Sequence, residues 1–263
     1  MLALALLISA LAMAAPLAAQ APAGVAIDLT YSFSDSTLYW PTATPFALEV
    51  QAAGPTEAGF WYAANGFCAA EHGGTHLDAP IHFAEGRRTV AEIPLEDLMG
   101  VAVVVDVAGL AADDPDYRID VAALARWEAM HGEIPARSIV LFRTGWDVRW
   151  PDPARYLGTA AKGPEAVADL HFPGLHPEAA AWLVTERSVR AVGIDTASID
   201  FGQSTDFAAH RALALANVPV FENVAQLDRL PATGAWVIAL PMKIARGTGG
   251  PARIVAFVTE EER

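Results

Sequence analysis

Apolar residues recur along this chain as short continuous runs and at helical spacings, which predict alternating strands and helices. The runs that predict strands cover residues 27–33, 101–107, 138–142, 189–194 and 218–224. The spacings that predict helices cover residues 91–99, 120–130, 164–170, 177–187 and 204–217. Because helix and strand alternate with no break in composition, the sequence predicts one α/β domain.

The segment 71–83 has a third pattern, with a period of two. His72, His76, Asp78 and His82 all lie at even-numbered positions, whereas the odd-numbered positions become increasingly apolar. In an extended backbone such residues point to one side, and at about 3.3 Å per residue His76 and Asp78 lie about 7 Å apart. A helix is the alternative, since His72 and His76 have the spacing of a zinc-protease helix. Two adjacent glycines and a proline argue against it, so we predict a bent strand.

These side chains indicate metal or acid–base chemistry. Imidazole nitrogens and carboxylate oxygens suit zinc, manganese or iron, and no thiolate accompanies them. A single histidine on a strand face would more often be a solvated polar residue. Three of the seven histidines of the chain lie within eleven residues, together with an aspartate. A metal site or a proton-transfer site is therefore the favoured interpretation.

The same segment resembles a known family motif. Residues 72–82 read HGGTHLDAPIH and match every specified position of His-x-Gly-Thr-His-x-Asp-x-Pro-x-His. That motif marks the cyclase-like metal-dependent hydrolases, which include bacterial kynurenine formamidases and isatin hydrolases. The resemblance extends from about residue 27 to residue 258, and it implies an α/β domain over residues 22–263, with a mixed sheet or small β-barrel flanked by helices. It also implies one or two divalent ions, Mn²⁺ or Zn²⁺, and a homo-oligomer.

His210 and Glu222 lie far along the chain from this motif. His210 shares a predicted helix face with core residues, and alone it would more often be a satisfied core histidine. Glu222 is a carboxylate within an apolar strand, which is costly unless a cation or hydrogen bonds compensate it. In the family a histidine on a helix and a glutamate on the following strand complete the metal site. The resemblance therefore implies that His210 and Glu222 do so here.

Asp195 and Asp200 follow the predicted strand 189–194. Carboxylates at strand ends commonly form turns and helix caps. The functional alternative is that one of them orients a metal-binding histidine, and the sequence does not favour either interpretation.

An aromatic cluster shortly precedes the motif, at Phe60, Trp61, Tyr62 and Phe67. On general grounds these rings would belong to a packed strand. In the family this region lines the substrate pocket, so the resemblance implies that Phe60, Trp61 and Phe67 bind a flat ring.

We therefore predict a metal-dependent hydrolase of a small aromatic or cyclic amide. His72, His76 and Asp78 would hold an ion that activates water. His82 would be the general base and then the proton donor to the leaving nitrogen. Within the family, opening of isatin to isatinate, deformylation of N-formylkynurenine and ring closure compete, and the aromatic cluster favours the first. The alternative from another class is an exported metal- or ligand-binding protein without turnover, which would have no use for His82.

Composition and the N-terminus limit the partners and the location. Seventeen basic and 31 acidic residues give a formal charge of −14, which argues against nucleic acid or an anionic membrane as a partner. The single Cys68 is predicted to be a small core residue. Residues 1–21 are apolar and end in small residues, as in a secretory signal peptide cleaved after Ala19 or Ala21, although no basic residue begins it. We expect a periplasmic or secreted protein, a location that also favours isatin hydrolysis.

Overall fold

A computed structural model describes residues 24–259 of the chain. The strands are β1 (Val25–Asp28), β2 (Ala47–Pro55), β3 (Trp61–Cys68), β4 (His76–Asp78), β5 (Met99–Asp106), β6 (Arg118–Ile119), β7 (Ile139–Arg143), β8 (Gly174–Leu175), β9 (Ala191–Ile194), β10 (Val220–Glu222), β11 (Ala235–Pro241) and β12 (Gly249–Val258). The α-helices are α1 (Leu95–Leu98), α2 (Ala108–Ala111), α3 (Val121–His131), α4 (Pro153–Tyr156), α5 (Pro177–Thr185) and α6 (Ala208–Leu215). Short 3-10 helices cover Pro80–His82, Val90–Glu92, Trp146–Arg149, Pro164–Asp169 and Leu227–Arg229.

Seven strands close into a barrel. They follow the order β12-β11-β5-β7-β9-β10-β4, and β4 pairs back onto β12. The strands β5, β7, β9 and β10 are mutually parallel, whereas β4, β11 and β12 join them in antiparallel pairs. Strand β1 extends β12 outside the closed ring. The predicted α/β fold with a small barrel flanked by helices is confirmed.

The pleat of the strands divides the core into two layers. Leu77 of β4 and Phe221 of β10 are fully buried in the barrel interior. Val192 and Val220 belong to the second layer, between the parallel strands and the helices. Because successive side chains of a strand point to opposite faces, the neighbours of Leu77 and Phe221 on their strands point outwards. Burial of each such large apolar side chain contributes about 1.5–3 kcal/mol, which fixes the register.

Several predicted elements form close to their predicted boundaries. The strand predicted over residues 27–33 is instead β1 at Val25–Asp28, and the helix predicted over residues 91–99 is a 3-10 turn followed by the short helix α1. Asp120 begins helix α3 and accepts a hydrogen bond from the Ala123 N–H at 2.8 Å, a cap that contributes about 1 kcal/mol. The helix predicted over residues 204–217 begins only at Ala208. The reason is that Phe207 has a left-handed φ of 50° and donates its N–H to Ser204 Oγ at 3.2 Å, which forms a turn instead.

Strands β2 and β3 form a hairpin that is separate from the barrel sheet. Its aromatic residues Phe60, Trp61 and Phe67 are 59%, 68% and 55% exposed. The expectation of a packed strand is therefore wrong, because within residues 24–259 these side chains keep more than half of their surface exposed, although Phe67 stacks on Phe46 with centroids 5.8 Å apart. Cys68 at the end of β3 is likewise exposed, so the prediction that it is a core residue is also wrong.

The N-terminal prediction falls on residues that the structure does not describe. The proposed signal peptide, residues 1–21, lies outside the described range. Between residues 24 and 259, every helix is too short or too polar to cross a membrane.

Candidate metal centre

The β4–β10 pair places the first members of the site. His76 and Glu222 are directly opposite each other across this antiparallel pair, and Asp78 lies on the same outer face. All three side chains are buried, because helix α6 packs against the 3-10 helix Pro80–His82 above them. Three ionisable side chains are therefore buried together on one face of the β4–β10 pair.

The carboxylate of Asp78 lies at the centre of the cluster. Its Oδ1 is 2.6 Å from His72 Nδ1 and 3.1 Å from His76 Nε2, and its Oδ2 is 3.0 Å from His210 Nε2. The Glu222 carboxylate contacts the same imidazoles, at 3.0 Å from His210 Nε2 and 3.5 Å from His76 Nε2. The structure therefore brings together the five residues that the sequence and the resemblance singled out as metal ligands.

The bend that the sequence predicted lies just before β4. Gly74 has a left-handed φ of 57°, a conformation that glycine adopts without the strain of a side chain. This turn joins His72 to the strand that carries His76 and Asp78. The extended segment is shorter than predicted, because Pro80 follows β4 and the chain then forms a 3-10 helix.

Outer hydrogen bonds fix which nitrogen of two imidazoles faces the carboxylates. His76 Nδ1–H donates to the Gly74 carbonyl at 2.9 Å, and His210 Nδ1–H donates to Asp200 at 2.6 Å. When neutral, each ring therefore points the lone pair of its Nε2 at carboxylate oxygens, which are also acceptors. His76 Nε2 is buried and forms no hydrogen bond with any residue of the described range. Such an acceptor-lined space needs a proton or a metal ion between the facing atoms.

The residues present fit a divalent metal ion. Two groups of ligand atoms, one from His76, Asp78 and Glu222 and one from His72, Asp78 and His82, each lie within 4.8 Å of one another. Nitrogen and oxygen donors of this kind suit zinc or manganese. Because the two groups share Asp78, the arrangement is compatible with one ion or with two.

The pKa values of the buried groups in the cluster depend on one another. Burial lowers the pKa of His210, but hydrogen bonds to Asp200, Asp78 and Glu222 outweigh burial and raise it well above its usual value. Burial also lowers the pKa of His76, but the contact with Asp78 outweighs burial and the pKa is raised. Burial would raise the pKa of Asp78, but the neighbouring histidines hold it well below its usual range. Burial and the Asp78 charge raise the pKa of Glu222. An ion that binds here therefore displaces protons.

His82 lies beside this cluster at the end of the first 3-10 helix. Its ring stacks on that of His72, with centroids 3.9 Å apart. Partial burial lowers the pKa of His82 to about 4, and the Asp78 carboxylate only partly opposes this effect. The ring is exposed towards solvent and is neutral at neutral pH, so it is able to accept a proton.

The cluster opens into a cavity of about 320 Å³. A row of aromatic rings forms one wall: Trp40 lies 6.4 Å from Phe207, Phe207 lies 5.2 Å from Phe83, and Phe83 lies 4.3 Å from His210, measured between centroids. None of the described residues that line the cavity is a lysine or an arginine. The cavity therefore suits a flat, uncharged molecule placed against the His/Asp/Glu cluster.

Comparison with known proteins agrees with this geometry. The Cyclase family model matches residues 27–201. The chain belongs to the Cyclase family. It is 36% identical to the isatin hydrolase of Roseibium aggregatum, over 76% of each chain. It is 28% identical to the kynurenine formamidase of Bacillus cereus, over 87% of this chain and 95% of that one.

A solved structure is similar over nearly the whole fold. An isatin hydrolase bound to the product analogue thioisatinate superposes with a TM-score of 0.80, at 32% identity, covering 89% of this chain and 92% of that chain. The family membership predicted from the motif is confirmed, and so is the enzyme class, a hydrolase acting on amide C–N bonds.

In this Cyclase-family chain, Asp200 rather than Asp195 contacts a histidine of the cluster. Asp200 accepts hydrogen bonds from the His210 ring and from the Ala209 and His210 backbone N–H groups, so it positions both α6 and the imidazole. Asp195 instead accepts from the Thr144 hydroxyl at 2.6 Å and from the Gly145 N–H at 2.8 Å. The interpretation of Asp195 as a loop-forming carboxylate is the one that the structure favours, because its oxygens are used by the turn after β7.

The predicted substrate-binding aromatics are not in the cavity. Phe60, Trp61 and Phe67 are absent from its described lining, because the hairpin strands pair only with each other. The rings that sequence reasoning missed are those of Tyr39, Trp40, Phe83 and Phe207. Two signals pointed to the last two: Phe83 directly follows His82, and Phe207 shares a helical spacing with His210. Nothing in the loop around Tyr39 marked it.

Proposed function

We propose that this Cyclase-family hydrolase opens a planar cyclic amide fused to an aromatic ring, by isatin-type hydrolysis to the isatinate. The observation that carries the proposal is the aromatic cavity, which ends on the His/Asp/Glu cluster and, within the described residues, is lined by no lysine or arginine. A flat bicyclic amide would lie against Phe83 and Phe207 with its carbonyl towards the cluster. Stacking of this kind contributes about 0.5–1.5 kcal/mol beyond the area buried.

The absence of lysine and arginine from the described lining distinguishes between the two substrates of the named relatives. N-formylkynurenine carries a carboxylate and an ammonium group, and burying a carboxylate without a cationic partner is costly. Isatin carries no charged group. The charge of the cavity lining therefore supports the cyclic amide over the aryl formamide.

The proposal assigns the metal to the buried cluster. His76, Asp78 and Glu222 would hold a divalent ion, Mn²⁺ or Zn²⁺, and His72 and His210 would complete one site or form part of a second. When bound, the ion supplies the Lewis acidity that brings the pKa of water towards neutrality. Asp200 and the Gly74 carbonyl orient the imidazoles towards it, as outer partners of metal ligands commonly do.

His82 is the proposed proton carrier. Its neutral ring lies beside the cluster and is the exposed member of it. It would accept a proton from the attacking water as the new C–O bond forms. It would then return that proton to the amide nitrogen as the C–N bond breaks. A metal-binding protein without turnover would have no use for such a residue.

We further propose a homo-oligomer that uses the β2–β3 hairpin. Stable interfaces bury roughly 800 Å² on each partner, and aromatic side chains are enriched in them. Phe60, Trp61, Tyr62 and Phe67 are all more than half exposed on this hairpin. An isolated two-stranded hairpin is only marginally stable in water, so contact with a second copy would stabilise it.

A direct comparison of substrates tests the proposed reaction. Metal-loaded protein is incubated with isatin and with N-formylkynurenine side by side, and the initial rates are followed by absorbance. We expect kcat/KM for isatin to be the larger. A larger value for N-formylkynurenine would replace the proposed substrate with the formamide. Absence of turnover of both, at full metal content, would favour the binding protein.

A further inference from the structure

A hydrogen-bonded chain lies on the side of His72 that faces away from Asp78. His72 Nε2 is 2.9 Å from the Thr248 hydroxyl. That hydroxyl is 2.6 Å from Glu71 Oε2, and the Thr248 N–H donates to the same oxygen at 2.8 Å. Glu71 directly precedes the family motif, and Thr248 comes from the glycine-rich segment before β12.

The donors and acceptors along this hydrogen-bonded chain determine which atom carries each proton. A carboxylate accepts only, so the single proton of the Thr248 hydroxyl goes to Glu71. The hydroxyl oxygen is then left as an acceptor for His72, and the proton of a neutral His72 ring must lie on Nε2. Its Nδ1 therefore carries the lone pair, and this atom is the one 2.6 Å from Asp78 Oδ1.

We propose that Thr248, held by Glu71, is a positioning residue that makes Nδ1 the metal-binding atom of His72. His76 and His210 have the opposite arrangement, since each of them donates from Nδ1 to an outer acceptor and presents Nε2 to the cluster. The inference rests on the proposed function, in which this cluster holds a metal ion.

The backbone around Thr248 is shaped for this contact. Gly249 is opposite Asp78 in the β12–β4 pair, and a Cβ atom there would lie 2.5 Å from His72 Cε1 and from the Leu77 carbonyl oxygen. Only glycine allows so close an approach. The Thr248 carbonyl also accepts the Ala79 N–H at 2.8 Å. The loop is thereby tied to the strand that carries the proposed ligands.

Zinc affinity separates this role from simple packing. The wild type and the variants Thr248→Val and Thr248→Ser are stripped with a chelator and titrated with Zn²⁺ by calorimetry. Valine keeps the shape of threonine but accepts no hydrogen bond, so we expect zinc to bind about 10–100-fold more weakly, the usual effect of losing an outer partner of a ligand. Serine keeps the hydroxyl and should restore the affinity to within about threefold.

Glu71 provides an independent variant. Glu71→Ala leaves the Thr248 hydroxyl free to donate to His72, which would move the ring proton to Nδ1, so zinc affinity should fall as in Thr248→Val. In Glu71→Gln the side-chain oxygen is still able to accept from Thr248, and most of the affinity should remain. This pair tests the inference even if one of the Thr248 variants folds poorly.

Nitrogen NMR of the histidine rings provides the deciding readout. In zinc-loaded wild type, His72 should show a metal-bound Nδ1 and a protonated Nε2, and His171, which binds Asp116 outside the cluster, provides the reference. Zinc bonded to His72 Nε2, or wild-type affinity in both Thr248→Val and Glu71→Ala, would overturn the inference alone. Failure of the wild type to bind zinc would overturn the proposed function together with it.

Discussion

Asp78 is the residue on which the cluster depends, because its two oxygens contact three imidazoles at once. His82 stacks on the His72 ring, and one of its ring nitrogens lies within 4.8 Å of the ligand atoms of His72 and Asp78, but it is the exposed member of the cluster. The imidazoles that contact Asp78 are therefore the proposed ligands, and the exposed His82 is the proposed base. A substitution at His82 should therefore affect proton transfer without removing the buried ligands.

His82→Ala tests the role of the base. Because three other groups already surround Asp78, metal affinity should change little, whereas kcat should fall by about 10²–10⁴-fold, the usual contribution of a positioned proton carrier. Calorimetry with the metal, together with a rate assay, measures both quantities. His131→Ala, at the exposed end of α3, is the matched control.

A change in metal stoichiometry would assign His82 to a second ion. In that case added metal should restore part of the activity. If kcat and metal content are both unchanged in His82→Ala, neither role is correct.

Asp195 allows a prediction about stability and pH. Burial raises its pKa from 3.8 to about 6, although hydrogen bonds from Thr144 and Gly145 oppose this effect. Asp195→Asn offers one acceptor in place of two and leaves a buried N–H unpaired, so it should destabilise the fold by about 1–3 kcal/mol. Urea unfolding of metal-free protein measures this loss.

The sign of the pH dependence follows from the raised pKa. The folded state holds the Asp195 proton more tightly than the unfolded state does, so the contribution of this group is complete below about pH 4 and is lost as the pH rises through about 6. The stability margin of the wild type over Asp195→Asn should therefore shrink between about pH 4 and pH 7. A margin that grows over this range would show that the carboxylate is stabilised in its ionised form.

The sequence could reveal the proposed ligands but not all of their outer partners. Three histidines and an aspartate within eleven residues form a local pattern, and the family motif supplied the two distant residues. Thr248 is 176 residues from His72, and a lone threonine in a glycine-rich segment has no periodicity to mark it. The same holds for Tyr39 and Trp40, whose place in the cavity depends on how the loop before β2 folds back.

At the scale of elements, register decides whether the site forms. One residue of slip between β4 and β10 would turn His76 and Asp78 into the barrel interior and Leu77 onto the metal face. The apolar pattern of residues 218–224 predicted this strand, but its partner strands are set by closure of the barrel. Short apolar runs do not encode which neighbours they pair with, and neither β11 nor β12 is among the strands that the apolar runs predict.

The hairpin shows a second limit of pattern reasoning. Aromatic residues in β3 have the same sequence pattern whether a core layer covers them or a second copy of the chain does. The structure leaves them exposed, and only a contact outside one copy would bury them.

Polar substitutions in the hairpin test the proposed oligomer. In the triple variant Phe60→Ser, Trp61→Ser and Phe67→Ser, the mass from light scattering should fall to that of one chain. The barrel should be kept because these residues are more than half exposed, although Phe67→Ser also removes the ring contact with Phe46. Met130→Ser, at another exposed apolar position, is the control and should keep the wild-type mass. A monomeric wild type, or an oligomeric triple variant, would contradict the role of the hairpin.

At the scale of the whole molecule, we propose export of the chain. The apolar residues 1–21 motivate this, since their small residues near position 20 resemble a signal-peptidase site. Mature protein recovered from the envelope fraction should begin at Gln20 or Pro22, which N-terminal sequencing measures. An intact Met1 on soluble cytoplasmic protein would exclude export.

The charge of the whole chain agrees with a small, uncharged substrate. A net charge of −14 repels anions at long range, and the described lining of the cavity adds no lysine or arginine to attract them. Binding would therefore depend on the aromatic wall and on the cluster rather than on electrostatic steering. The rate should accordingly change little with salt.

The most direct test of the account is the rate of isatin hydrolysis as metal is returned to chelator-treated protein. The wild type should be inactive without metal, and its rate should rise to a plateau as Mn²⁺ or Zn²⁺ reaches stoichiometric amounts. His76→Ala should show neither tight metal binding nor recovery, because the ligand platform loses one nitrogen. Full activity of the metal-free wild type, or full metal content in His76→Ala, would contradict the assignment of this cluster as the catalytic centre.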